Sequence, residues 1–373
     1  MIIRPSYGTK RRKMKIEAFA RLAVLVLTAI AATRTGYGQP SANVTVTATG
    51  LNNPRGLKFG PDGLLYVAEG GTGGSASTAG MCTQVAPPIG PYTGGYTGRI
   101  SKIDSAGNRQ TVVDNLPSDQ TSAASGGLAS SVADIAFIGT TMYALIAGAG
   151  CSHGLAGTVN GIMKVDITAG TAAPFADLST FLASNPVVNP SGDDFEPDGT
   201  FYSLVSLGNK LYTTEPNHGE IDEIDSQGNV SRVVDISDTH GHIVPTALAY
   251  ENGWYFGNLF LFPTLQGSAN VFTLSHNKTV HVLVPQLTTV VGLAFDSRHR
   301  LYILEMSAGT GGPAPGMGQI LRYEYNGTLT TIATGLSFPT AMTFGPDGHL
   351  YVSHQGFGFP PGAGQIVKVF VTN

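Results

Sequence analysis

The stretch PRGLKFGPDGLLYVAEGG (Pro54–Gly71) returns near the other end of the chain as PTAMTFGPDGHLYVSHQG (Pro339–Gly356), with ten of eighteen positions identical. Weaker copies lie between them: DIAFIGTTMYALIA, SLVSLGNKLYTTE, ALAYENGWYFGN and GLAFDSRHRLYILE. Each copy has an apolar strand, a tight turn and a second strand with a tyrosine at a fixed place: Tyr66, Tyr143, Tyr212, Tyr255, Tyr302 and Tyr351. A loop and a third strand follow each, as in GRISKID, GIMKVD and GQIVKVF, and most units add a fourth. Self-similarity at this period, with four short strands per unit, is the mark of propeller blades. The reading is an all-β chain, a six-bladed β-propeller over residues 39–373.

The sixth unit ends without a fourth strand. VTVTATGLNNP (Val44–Pro54) matches LTTIATGLSFP (Leu329–Pro339), the fourth strand of the fifth unit. The N-terminal segment is therefore expected to pair with the last blade, Val44–Thr49 beside Ile366–Val371, and to remove an open sheet edge. In the repeated phrase, Pro presets φ, Asp bonds its own backbone and Gly accepts positive φ, which makes GPDG a strand-connecting turn. Leu57, Phe59, Leu65 and Val67 alternate and should fill the space between blades.

Strand connections alternate between the two faces of such a ring. The loops joining second to third strands share one face, and they hold the long segments, such as GGTGGSASTAGMCTQVAPPIGPYTGGYTG. Long loops on a rigid scaffold usually carry binding. Cys82 and Cys151 lie in two adjacent loops of this face and are expected to form a disulfide. The position three residues after each tyrosine holds Glu69, Ile146, Glu215, Asn258, Glu305 and His354. Two readings fit this ring of polar groups. Glu69, Glu215, Asn258, Glu305 and His354 form a ligand rim, with Glu69, Glu215 and Glu305 offering hard oxygen donors to a metal such as Ca²⁺; or each braces a neighbouring loop by accepting backbone N–H groups.

His153, His218, His240, His242 and His354 also fall on this face and read individually as solvated loop residues. DFEPDG (Asp194–Gly199) mimics the start of a Ca²⁺ loop, but its twelfth position is Val205, so it reads as an acidic surface insertion. There is no G-x-S-x-G, H-E-x-x-H, C-x-x-C, P-loop or full G-x-G-x-x-G, and no catalytic residue is assigned.

Residues 1–38 combine the basic TKRRKMK with an eleven-residue apolar run, LAVLVLTAIAA, and read as a signal peptide for secretion or delivery to the periplasm. They carry eight of the 21 Lys/Arg and one of the 25 Asp/Glu, so the remainder has a net charge of −11. Such a chain lacks the basic footprint of a nucleic-acid binder and would be repelled by anionic lipid. The expected partners are a small molecule, a glycan or a protein; neither nucleic acid nor, after signal cleavage, membrane is among them.

The segments TGLNNPRGLKFGPDGLLYVAEGGTGG, GYTGRISKID, DGTFYSLVSLGNKLYTTEPNHGEIDEID, FPTLQGSANVF, VGLAFDSRHRLYILEM and GQILRYEYNGTLTTIATGLSFPTAMTFGPDGHLYVSHQGFG together resemble the ScyD/ScyE family, named for exported propellers encoded with the scytonemin pigment pathway. The bare FGPDGxLYV is shared with NHL-type and other propellers. The resemblance implies a six-bladed propeller outside the cytoplasm and supplies no reaction or catalytic residue. Two departures stand out. The first loop has one cysteine where a close pair is expected, and blade two has Ile146 where its neighbours are polar. The leading expectation is an exported, non-catalytic binding propeller using the long-loop face. The rival is a Ca²⁺-dependent hydrolase or lactonase of the SMP30-like type. A quinone-dependent sugar dehydrogenase comes last, because Arg55 is the one suggestive arginine at the channel mouth.

Overall fold

The structure is a computed structural model that describes residues 38–192, 195–261, 263–309 and 312–372. The expected signal peptide therefore falls, but for Gly38, outside the described residues. Among those described, no helix is long and apolar enough to cross a membrane.

Six antiparallel sheets form the blades of a β-propeller. Their innermost strands are Pro54–Phe59, Val132–Ile138, Leu204–Leu207, Pro245–Tyr250, Val290–Phe295 and Ala341–Phe344. These strands pack side by side around a central channel, and the first meets the last. Ring closure follows the expected route. Val44–Leu51 is the outer strand of blade six, antiparallel to Gly364–Val369, with a register running from Val44 opposite Val369 to Leu51 opposite Gly364. Blade one carries a short fifth strand, Ala129–Ser130.

The repeated phrase works as one hydrogen-bonded unit. In the first copy the Leu64 N–H donates to Asp62 Oδ1 at 3.1 Å, and the Tyr66 hydroxyl donates to Asp62 Oδ2 at 2.8 Å. The second copy repeats this: His349 N–H donates to Asp347 at 3.2 Å and the Tyr351 hydroxyl at 2.9 Å. A Cβ on Gly60 would lie 2.5 Å from the Tyr66 ring, so glycine makes room for the tyrosine that closes the turn.

The same tyrosines join neighbouring blades. Tyr66 meets Phe137, Tyr212 meets Trp254, Tyr255 meets Phe295, Tyr302 meets Phe344 and Tyr351 meets Phe59, with ring centroids between 4.4 and 5.4 Å apart. Each contact runs from one blade to the next, and the last crosses the closure. Aromatic pairs at such spacing add to the apolar burial between blades. Tyr143 is the exception: it packs on Phe175 of its own blade, since blade three has Leu207 at the end of its inner strand.

Between blades two and three the chain makes a helix, Leu178–Ser184, whose N-cap Asp177 accepts from the Thr180 N–H at 2.8 Å. It then continues through Glu196 to the inner strand of blade three.

Candidate functional site: the channel mouth and its buried backing

Cys82 and Cys151 form the expected disulfide, with Cα atoms 6.3 Å apart, and tie the long loops of blades one and two together. The ring of polar residues serves as a set of braces. Each is buried at the end of a second strand and holds the segment that leads into the inner strand of its own blade. Glu69 accepts from the Asn52 N–H at 2.7 Å, Glu215 from Thr200 at 2.7 Å and Glu305 from Thr288 at 2.6 Å. His354 Nε2 accepts from the Ser337 N–H at 2.8 Å, and Asn258 donates to the Ile243 carbonyl at 2.8 Å.

Their remaining polar atoms are engaged too: Glu69 holds Arg99 and Glu305 holds Gln319. None of the five lines the central cavity. Among the described residues no three His, Cys, Asp or Glu side chains stand together as a metal group. The Ca²⁺ set of Glu69, Glu215 and Glu305 is thus not assembled: each carboxylate sits on its own blade with its oxygens turned to local N–H donors.

Blade two has no acceptor at Ile146, and a residue from the neighbouring blade replaces it. Asp119, on the fourth strand of blade one, accepts from the Ser130 N–H at 3.1 Å. Its other oxygen meets His153 Nδ1. His153 Nε2 lies 3.1 Å from the Gly199 carbonyl and 3.6 Å from Glu196, which accepts from the Tyr92 hydroxyl at 2.7 Å. His153 is fully buried, as are Asp119 and Glu196 almost completely. Burial works against the His153 charge, but Asp119 and the neighbouring carboxylates outweigh it and raise the imidazole to about 9. Burial pushes Glu196 up to about 8, with His153 partly opposing.

Two expectations are corrected here. His153 and His218 are buried rather than solvated, as is His354, while His240 and His242 are half-buried. Glu196 of the supposed surface insertion is folded inward; Asp194 lies outside the described residues. The burial of His153 was hidden because its neighbours Tyr92, Asp119 and Glu196 come from three distant segments of the chain. The departure at Ile146 was the one available signal.

This cluster backs one wall of a cavity of about 170 Å³ in the channel. The lining comes from the starts of all six inner strands, with Ala147 and Phe357 from the loops after second strands, which places it at the long-loop end. Ser130 and Thr200 belong to both wall and cluster. Arg55 projects into the cavity beside Phe357, its guanidinium 5.8 Å from the ring centroid. Tyr202 also lines the cavity; its hydroxyl donates to the Thr340 carbonyl at 2.8 Å, and burial holds it protonated. A wider, more open groove of about 790 Å³ on the short-turn face is edged by Asp62, Tyr66 and Lys164. Its Asp62 and Tyr66 are consumed by the turn itself.

No family model matches this chain, and no curated protein does. Solved structures do match. A protein of unknown function from Bacteroides thetaiotaomicron aligns with a TM-score of 0.55 and 10% identity, over 88% of this chain and 76% of that one. A putative oxidoreductase (glucose dehydrogenase) from Thermus thermophilus aligns at 0.53 and 15%, over 88% and 99%. A further glucose dehydrogenase aligns at 0.54 and 14%, over 88% and 99%. The likeness is one of fold. At such identity it carries no chemistry across, and function has to be argued from the site.

Proposed function

We propose that this chain is an exported binding propeller of the ScyD/ScyE type, non-catalytic, which takes its partner at the long-loop end of the channel. The observation that carries the reading is the division of labour among polar groups. The braces and the Asp119–His153–Glu196 cluster are consumed inside the scaffold, whereas the cavity in front of them keeps a cation and an apolar wall facing open space. A base that is to act on a substrate must reach it, and His153 is enclosed by Asp119, Glu196 and the Gly199 carbonyl. The Cys82–Cys151 bridge supports an oxidising compartment.

The test is to purify the protein from its exported fraction, release any bound small molecule by denaturation and identify it by mass spectrometry. A panel of lactones is assayed alongside, with and without Ca²⁺. A retained ligand and no turnover support the reading. Chelator-sensitive lactone hydrolysis would replace it with the SMP30-like hydrolase.

A further inference from the structure

The chemistry of the channel cavity is asymmetric. Arg55 makes one hydrogen bond, from Nη2 to the Ala129 carbonyl at 2.7 Å. Its Nε and Nη1 donors meet no acceptor among the described residues. Asp119 is near enough to act on it through space, but both Asp119 oxygens already serve Ser130 and His153. Arginine presents a planar fork of N–H groups matched to two oxygens on one atom. Nη2 spends one hydrogen on Ala129, which leaves Nη1 and the second Nη2 hydrogen as a two-donor edge for a ligand in the cavity that Arg55 lines.

The other charges leave the balance positive. Asp134 is buried, accepts from Leu204 N–H at 2.8 Å and Ile135 N–H at 2.9 Å, and has Lys58 Nζ at 4.0 Å. Arg55 is left over. The facing wall, from blades four to six, presents Leu248, Val291, Leu293 and Met342. A volume of 170 Å³ corresponds to about six waters at their share of the liquid, and thus to a ligand of few atoms.

We propose that the cavity is a site for a small monocarboxylate, its two oxygens on the Nη1 and Nη2 edge of Arg55 and its apolar body against the wall of blades four to six. The proposal deepens the reading above and rests on it, since both place the ligand at the channel mouth.

The experiment is a ligand-observed NMR titration of the full chain with three probes of one shape: butyrate, butyramide and butylammonium. Butyrate is expected to bind about tenfold more tightly than butyramide, because its hydrogen bonds to Arg55 join two charges, and butylammonium is expected not to bind. Arg55→Gln should lower butyrate affinity by about tenfold and bring it level with butyramide. Equal affinity for butyrate and butyramide, or undiminished butyrate binding in Arg55→Gln, overturns the proposal. If that variant does not fold, the three probes on the unaltered protein decide alone. Binding of butyramide or butylammonium in preference to butyrate ends the carboxylate inference and leaves the channel-mouth reading standing. Binding of none of the three ends the inference in this cavity, while a different co-purified ligand from the exported protein would still uphold the broader function.

Discussion

Asp222 occupies a register position where the other blades carry Ser101, Met163, Phe272, Leu321 and Val367. It is fully buried, neither of its oxygens has a donor, and Glu220 Oε1 beside it also lacks one. Glu220 in turn stands directly across from Glu215. Arg232 is paired with Glu220, and His218, kept neutral by burial, adds no charge. Burial and the mutual repulsion of these carboxylates push Glu220 up to about 7 and Asp222 well above the carboxylate range. Folded pKa values above the unfolded ones mean that the native state binds the extra protons. This stability is present below about pH 4 and is lost as pH rises through 7. Asp222→Asn supplies an N–H to Glu220 and removes one charge. It should stabilise the protein at pH 8 by about 1–2 kcal/mol and flatten the loss between pH 5.5 and 8, read from urea denaturation at both. An unchanged slope would refute this account. Gly56 makes the opposite case. A Cβ there would lie 2.6 Å from the Asp134 Cα, which is backbone and cannot swing away. Gly56→Ala should cost about 1–3 kcal/mol in the same assay, by forcing apart the inner strands of blades one and two.

At the scale of elements, the strands and turns were legible because the repeat exposes them. FGPDG and its tyrosine recur, and spacing alone located the blades. What the tyrosine does was not legible, since its partners are the turn Asp four residues earlier and an aromatic residue on another blade. The ring position was read as polar and convergent, yet the braces bond segments 15 to 17 residues upstream, within their own blades. Periodicity gives the register of a strand but not the path of the loop that returns to it. Hence Asp119 could not be recognised as the stand-in for Ile146, and Glu196 could not be placed under the loops. The disulfide was legible from the blade order, which made the two cysteine loops neighbours. It links positions 69 residues apart, a span for which a bridge contributes about 2–4 kcal/mol. Cys82→Ser with Cys151→Ser should lower the melting temperature by several degrees, and a reductant should do the same to the unaltered protein but not to the double variant. Equal melting temperatures before and after reduction would show that the loops are held without the bridge.

For the whole molecule the decisive contact is the one that joins its two ends. Blade six lacks an outer strand until Val44–Leu51 supplies it, and blade one meets blade six through Phe59 and Tyr351. The Phe370 N–H donates to the Asn43 carbonyl at 2.8 Å, so the end of the last strand lies beside the start of the closing strand in hairpin fashion. If closure rather than chain order holds the ring, the strand can be supplied from either side. A circular permutant that begins at Asn53, runs to Thr372 and continues through a short Gly-rich turn into Ser41–Asn52 keeps every ladder bond of blade six and the Asn52 N–H that Glu69 accepts. It also converts a pairing across the whole chain into a local hairpin, with a lower loop-closure cost. The permutant is expected to unfold in one cooperative transition, within a few degrees of the parent, and to refold faster. A chain that starts at Asn53 without the transplanted strand should instead expose the edge of Gly364–Val369 and aggregate on heating. Were the truncated chain as stable as the permutant, the ring would be held by blade-to-blade packing alone, and the duplicated ATGL strand would have no structural reason to exist.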